Sequence, residues 1–133
     1  MLVLLLAMPI FAQANDQTYR IAINKTSYPY HFVNSEKNAD GLMVELWRLW
    51  ADKQQVNVEF VPLNWQQTIK NVQTGDIDIH AGLSITPSRA EILALSPVFF
   101  LQTQHLFLHR SISSLSDISQ LAPYAIGVVS GSS

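Results

Sequence analysis

The sequence contains no cysteine. That excludes disulfide bonds and thiolate metal sites, but it names no compartment, since many exported proteins also lack cysteine. Charge is scarce too: charged residues make up 14% of the 133, the formal net charge is −2, and Lys and Arg nowhere form a run. Neutralising a phosphate backbone takes clustered cations, so nucleic acid is not an expected partner. A helix that spans a bilayer needs roughly 20 apolar residues. The apolar stretch from Leu2 to Ala12 is shorter and gives way to Asn15-Asp16-Gln17.

The end of that stretch is informative. Ala12-Gln13-Ala14 has the small-x-small form of a signal-peptidase site, so residues 1–14 read as a signal peptide and the protein as exported to the periplasm. The basic residues that usually precede such a run are missing. A short buried helix is the alternative reading. Over the whole chain, 48% hydrophobic residues are enough for a real core.

Periodicity along the remaining chain alternates between two and 3.6 residues. Tyr19–Ile23 reads as a strand with Ile21 and Ile23 on one face, and a turn-rich stretch runs from Pro29 to Gly41. Leu42–Asp52 reads as a helix with a wide apolar face, in which Leu42, Leu46 and Leu49 lie beside Met43, Trp47 and Trp50. Val56–Pro62 alternates as a second strand. Asn64 with Gln67 three residues on forms a capping box for a helix ending near Gly75. Asp76–Ala81 reads as a third strand. Thr86 caps a further helix with Pro87 at its first position, where a missing N–H costs nothing. Pro97–Leu108 reads as extended, Ser114–Leu121 as a short helix and Tyr124–Val129 as a strand. The alternation predicts an α/β fold around a mostly parallel sheet.

The stretch richest in chemistry is Ala81-Gly82-Leu83-Ser84-Ile85-Thr86-Pro87-Ser88-Arg89. Free N–H groups at a helix start favour an anion, and a guanidinium beside them offers a fork shaped for a carboxylate. Arg89 at the positive end of a helix dipole works against the helix itself, and such a local conflict points to a site. The alternative is a surface arginine paired with Glu91 or another acid. His80 reads as a structural strand residue. His105 and His109 are four apart, but in extended chain that spacing does not make a metal site. Asp76 and Asp78 read as partners for turn and backbone donors. No metal or cofactor is expected, and no nucleophile–base set points to an enzyme.

The run Gly82–Arg89 resembles the signature of the bacterial extracellular solute-binding proteins of family 3, the polar amino-acid-binding type. Tyr28-Pro29-Tyr30-His31-Phe32 is similar to the family's early Tyr-Pro-Pro-Phe loop, and Gly41-Leu42-Met43-Val44-Glu45-Leu46 to its Gly-Phe-x-x-Asp-Leu helix start. Trp65 falls where the family often has an aromatic, Gly75-Asp76-Ile77-Asp78 matches its Gly-x-x-Asp turn, and Leu115–Ser133 resembles the opening of its second lobe. The resemblance covers essentially all of residues 18–133.

It implies a periplasmic-binding-protein-like fold of type II. Residues 15–108 would form the first lobe, and residues 109–133 the hinge, near residues 108–112, and the beginning of an incomplete second lobe. It further implies that Arg89 binds a ligand's α-carboxylate, with Ser84 adding its hydroxyl and N–H. Tyr28 and Trp65 would sandwich the ligand's body, the Gly82 carbonyl would accept from its ammonium, and Ser132 and Ser133 would close over the carboxylate. The partner implied is an inner-membrane ABC permease or, where the module serves as a sensor, the protein's own membrane signalling domain (a histidine kinase or diguanylate cyclase). A periplasmic enzyme on the same fold is the less favoured reading. Two departures bear on the ligand. Lys25 stands near where many amino-acid binders carry an acid, and His31 replaces the usual residue before Phe32, more as packing than as a ligand group.

Overall fold

The computed structural model describes residues 17–103, 105–112, 115 and 117–127. The signal-peptide reading of residues 1–14, the end of the last expected strand (Val128, Val129) and both Ser132 and Ser133 lie outside the described residues. The chain divides into two units, Met1–Leu83 and Ser84–Ser133.

The first unit is built on a central strand, β1 (Thr18–Asn24). Short strands β2 (Thr26–Ser27), β3 (His31–Val33) and β4 (Ala39–Asp40) come next, then α1 (Leu42–Gln54), β5 (Asn57–Leu63), α2 (Trp65–Thr74) and β6 (Ile79–His80). β5 and β6 flank β1, both parallel to it, in the order β5-β1-β6. Ile21, Ala22 and Ile23 are fully buried, as a strand covered on both faces of a parallel sheet requires. The expected α/β class and parallel sheet are present.

The three expected elements β1, α1 and β5 agree with the sequence reading to within two residues. α2 starts at the Asn64–Gln67 capping box and ends at Gly75 in the left-handed conformation. The third expected strand shrinks to two residues, for a visible reason. The Asp78 carboxylate takes the Arg20 N–H at 2.7 Å, a place that a ladder carbonyl would fill, and Arg20 Nη1 donates to the Asp76 carbonyl at 2.6 Å. Asp76 also accepts from Thr74 Oγ1. The two aspartates thus serve turn and backbone donors.

The apolar face of α1 is narrower than its sequence suggests. At about 100° per residue, Met43, Val44, Trp47 and Ala51 share one arc, and it is this arc that faces the core. Leu42, Leu46 and Leu49 point away from it and are 50%, 42% and 53% exposed. Trp47 packs on the core and donates from Nε1 to the Ala81 carbonyl at 2.7 Å, and Trp50 meets the rings of Trp47 and Tyr19 edge-on.

The region read as turn-rich carries a small antiparallel sheet, β2-β3-β4, which the sequence reading missed. Its seat is the start of α1. Leu42 and Met43 donate their N–H groups to the carbonyls of Pro29 and Tyr30, so loop backbone satisfies helix donors that have no partner inside the helix. The close approach is possible because residue 41 is glycine. Its φ is 115°, and a Cβ there would lie 2.6 Å from the Tyr30 oxygen. His31, on β3, is 4% exposed, and its Nδ1 lies 3.0 Å from the Asn24 N–H and 3.1 Å from the Asn24 carbonyl. Burial pushes its pKa below the ordinary 6.5, and bonds to the backbone of Asn24, Gly82 and His31 itself offset only part of that shift.

The second unit holds α3 (Pro87–Ala90) and a 3-10 turn, Ile118–Leu121, opened by an Asp117–Gln120 capping box. Neither the described residues of Pro97–Leu108 nor Tyr124–Gly127 form a strand. Strands are held by ladder partners, and none is described for either stretch. Of the helix expected over Ser114–Leu121, the described residues form only the 3-10 turn. No described helix is long and apolar enough to cross a membrane.

This packing makes two predictions. Gly41→Ala meets both the backbone strain and the clash, and should destabilise the fold by about 2 kcal/mol or more in urea unfolding. An unchanged midpoint would refute the close approach. His31 has a folded pKa below its unfolded value, so its contribution is fully present above about 6.5 and is lost as pH falls below that. The melting temperature should drop between pH 7 and pH 5, and drop less steeply in His31→Gln; equal slopes would count against the buried neutral imidazole.

Candidate functional site

Three of the expected site residues share one edge of the first unit. Tyr28 lies past the end of β1, in the turn between β2 and β3, Trp65 opens α2 directly after β5, and Gly82 comes after β6. All three strands run parallel, so these are their carboxyl ends, where ligands of open α/β sheets bind. Parallel pairing therefore gathers residues from distant parts of the sequence onto one rim.

Each is held differently. Tyr28 is 76% exposed, with its ring 5.0 Å from that of Phe32, and the bond between Tyr28 and Pro29 is cis. Trp65 is half-buried, and its ring meets the His80 imidazole edge-on at 5.5 Å. The Gly82 N–H donates to His80 Nδ1 at 3.1 Å. Lys25, beside this rim in sequence, is exposed, and its backbone is tied to Leu63 and Val33.

In the second unit Thr86 caps α3 as its sequence predicts, with its hydroxyl accepting from the Arg89 N–H at 3.3 Å and Pro87 in the first turn. One expectation needs correcting. α3 is a single turn of four residues in which Arg89 sits in the last turn, so no sizeable helix dipole opposes it. Burial singles Arg89 out instead. Arg89 is 5% exposed, and its Nη1 donates to the Ser84 carbonyl at 2.9 Å. A guanidinium taken this far from water must have its donors satisfied. Ser84 itself is exposed, and the link to Arg89 uses its backbone oxygen rather than the hydroxyl.

Two residues at the rim carry more of its structure than the sequence suggested. Thr68 is fully buried in α2, with its hydroxyl between His80 Nε2 at 3.0 Å and the Trp65 carbonyl at 2.6 Å. A threonine inside a helix and a histidine on a strand are each ordinary, and only the fold brings them together. His109 bonds Ser111, and among the described residues no group of three or more His, Cys, Asp or Glu could hold a metal ion.

Residues 19–116 match the bacterial extracellular solute-binding proteins, family 3. A probable histidine-binding protein of Neisseria gonorrhoeae is 28% identical over 86% of this chain and 43% of its own length. The membrane-bound lytic murein transglycosylase F of Shewanella frigidimarina is 31% identical over 71% of this chain but 20% of its own. Among solved structures, a histidine kinase sensor domain similar to periplasmic binding proteins superposes with a TM-score of 0.56, at 26% identity, over 57% of this chain and 33% of its own. An ancestral arginine-binding protein bound to glutamine gives 0.53 at 30% identity, over 56% and 34%. The chain thus spans less than half the length of these proteins. It has the periplasmic-binding-protein-like α/β fold, and it belongs to the bacterial extracellular solute-binding proteins of family 3.

Proposed function

We propose that the protein captures a small, polar, amino-acid-like solute through its carboxylate, in a cleft closed by two lobes, and delivers it to an ABC-type importer. The observation that carries this reading is the buried Arg89, tied to the Ser84 carbonyl. A planar fork of donors is the group that matches a carboxylate best. In this reading Ser84 adds its hydroxyl and N–H, Tyr28 and Trp65 enclose the solute's body, and the Gly82 carbonyl takes its ammonium. Ser132 and Ser133 close over the carboxylate from the second lobe, across a hinge near residues 108–112, with residues 15–108 as the first lobe. Export to the periplasm by the signal peptide at residues 1–14 belongs to the same proposal, and catalysis does not. The transglycosylase shares with this chain a stretch that is only 20% of its own length.

The candidate solutes come from the relatives. One is named for histidine, and one ancestral protein is described bound to arginine and to glutamine. Calorimetry on the full-length protein with L-histidine, L-arginine and L-glutamine should find one that binds, and Arg89→Ala should cost it about 3 kcal/mol or more, a loss beyond a hundredfold. Unchanged affinity in that variant would refute Arg89 as the anchor.

The likeness to a histidine kinase sensor domain favours a second reading, in which the same module senses the solute for a membrane signalling protein such as a histidine kinase or diguanylate cyclase. Cell fractionation separates the two: osmotic shock should release a free receptor, whereas a sensor stays with the inner membrane.

A further inference from the structure

The hydrogen bonds beneath the rim run in one direction. The Gly82 N–H donates to His80 Nδ1 at 3.1 Å, which leaves the proton of the neutral imidazole on Nε2. Nε2 then donates to Thr68 Oγ1 at 3.0 Å, and Thr68 Oγ1 donates to the Trp65 carbonyl at 2.6 Å. Each bond fixes the proton of the next. The chain starts at the backbone of one expected ligand contact, Gly82, and ends at the backbone of another, Trp65.

A threonine hydroxyl bonding back one turn is ordinary in a helix. The difference here is the imidazole that donates into it from β6, twelve positions further along the sequence. The Trp65 ring also packs edge-on against that imidazole at 5.5 Å and 79°, so His80 bears on both the backbone and the ring of the tryptophan. Thr68 has no exposed surface. Because the Thr68 hydroxyl is closed to water, a shift of either partner costs it a bond that solvent does not replace.

We propose that His80 and Thr68 are positioning residues that lock the Trp65 platform to the Gly82 turn, and so set the affinity for a solute neither of them touches. The inference rests on the reading that Trp65 and Gly82 face the solute.

The test is a double-mutant cycle on the full-length protein, read by calorimetry with whichever of L-histidine, L-arginine or L-glutamine binds the wild type most tightly. Thr68→Val keeps the shape and removes the relay, and should weaken binding about tenfold. Thr68→Ser restores the hydroxyl and should recover most of that loss, which separates the relay from a simple folding defect. In a Trp65→Ala background, Thr68→Val should cost little more, because the ring that the relay holds in place is gone. Equal losses in both backgrounds would overturn the relay and leave Thr68 a packing residue.

A second measurement needs no solute. Nitrogen-15 NMR should find the His80 ring neutral with its proton on Nε2, and Thr68→Val should move the indole resonance of Trp65. A proton on Nδ1, or an unmoved indole, overturns the proposal. The two levels of inference fail differently. If none of the three amino acids binds, the binding reading falls and the relay's role falls with it. If binding depends on Arg89 but not on Thr68, only the relay falls.

Discussion

The central strand β1 is the constraint on which the rest of the first unit depends. Ile21, Ala22 and Ile23 are shut off from water on both faces, so their peptide groups must find partners in the flanking strands. β5 supplies them along seven paired residues, from Thr18 against Asn57 to Asn24 against Leu63. β6 supplies only two pairs, extended at one end by the Asp78 carboxylate and at the other by the Ala81 N–H on the Ala22 carbonyl. Because all three strands run the same way, their carboxyl ends form one edge, and the segments bearing Tyr28, Trp65 and Gly82 have to leave from it.

Much of this was legible because local chemistry and global packing agree. Asn64 and Gln67 cap α2, Gly75 ends it and Thr86 caps α3, each by a bond that a single turn of chain can make. Where the sequence reading erred, the deciding partner was distant. The leucines of α1 have the spacing of a buried row, but the sheet reaches only the arc of Met43, Val44 and Trp47. The β2-β3-β4 sheet is too short for any periodicity, and it depends on Gly41 letting the Tyr30 carbonyl meet the start of α1.

The candidate site was partly legible, and Arg89 shows why the reason matters. Its place in the Gly82–Arg89 run drew attention, but the supposed conflict with a helix dipole dissolves once α3 proves to be one turn long. What singles Arg89 out is burial, a property of packing that its neighbours in sequence do not reveal. Thr68 drew no notice and His80 read only as a structural strand residue, for the complementary reason. Each is common in its own element, and their meaning lies in a 3.0 Å contact between a helix and a strand.

The distribution of buried polar groups in the first unit traces the same edge. Its apolar core is Ile21, Ile23, Met43, Val44 and Ala81. Asn24, His31 and Thr68, all but closed to water, sit where β1 ends, in the loop sheet beside it and in the first turns of α2. A core needing only stability would be better served by apolar residues of the same shape, since a polar group inside at best recovers what it loses in leaving water. What a satisfied network adds is orientation, because hydrogen bonds are directional and apolar contacts are not. On the proposed reading, orientation is also what a small polar solute demands, since ordering loose contacts on binding is subtracted from affinity. The buried polar side chains of the first unit therefore gather toward the rim, where on that reading direction counts as well as burial.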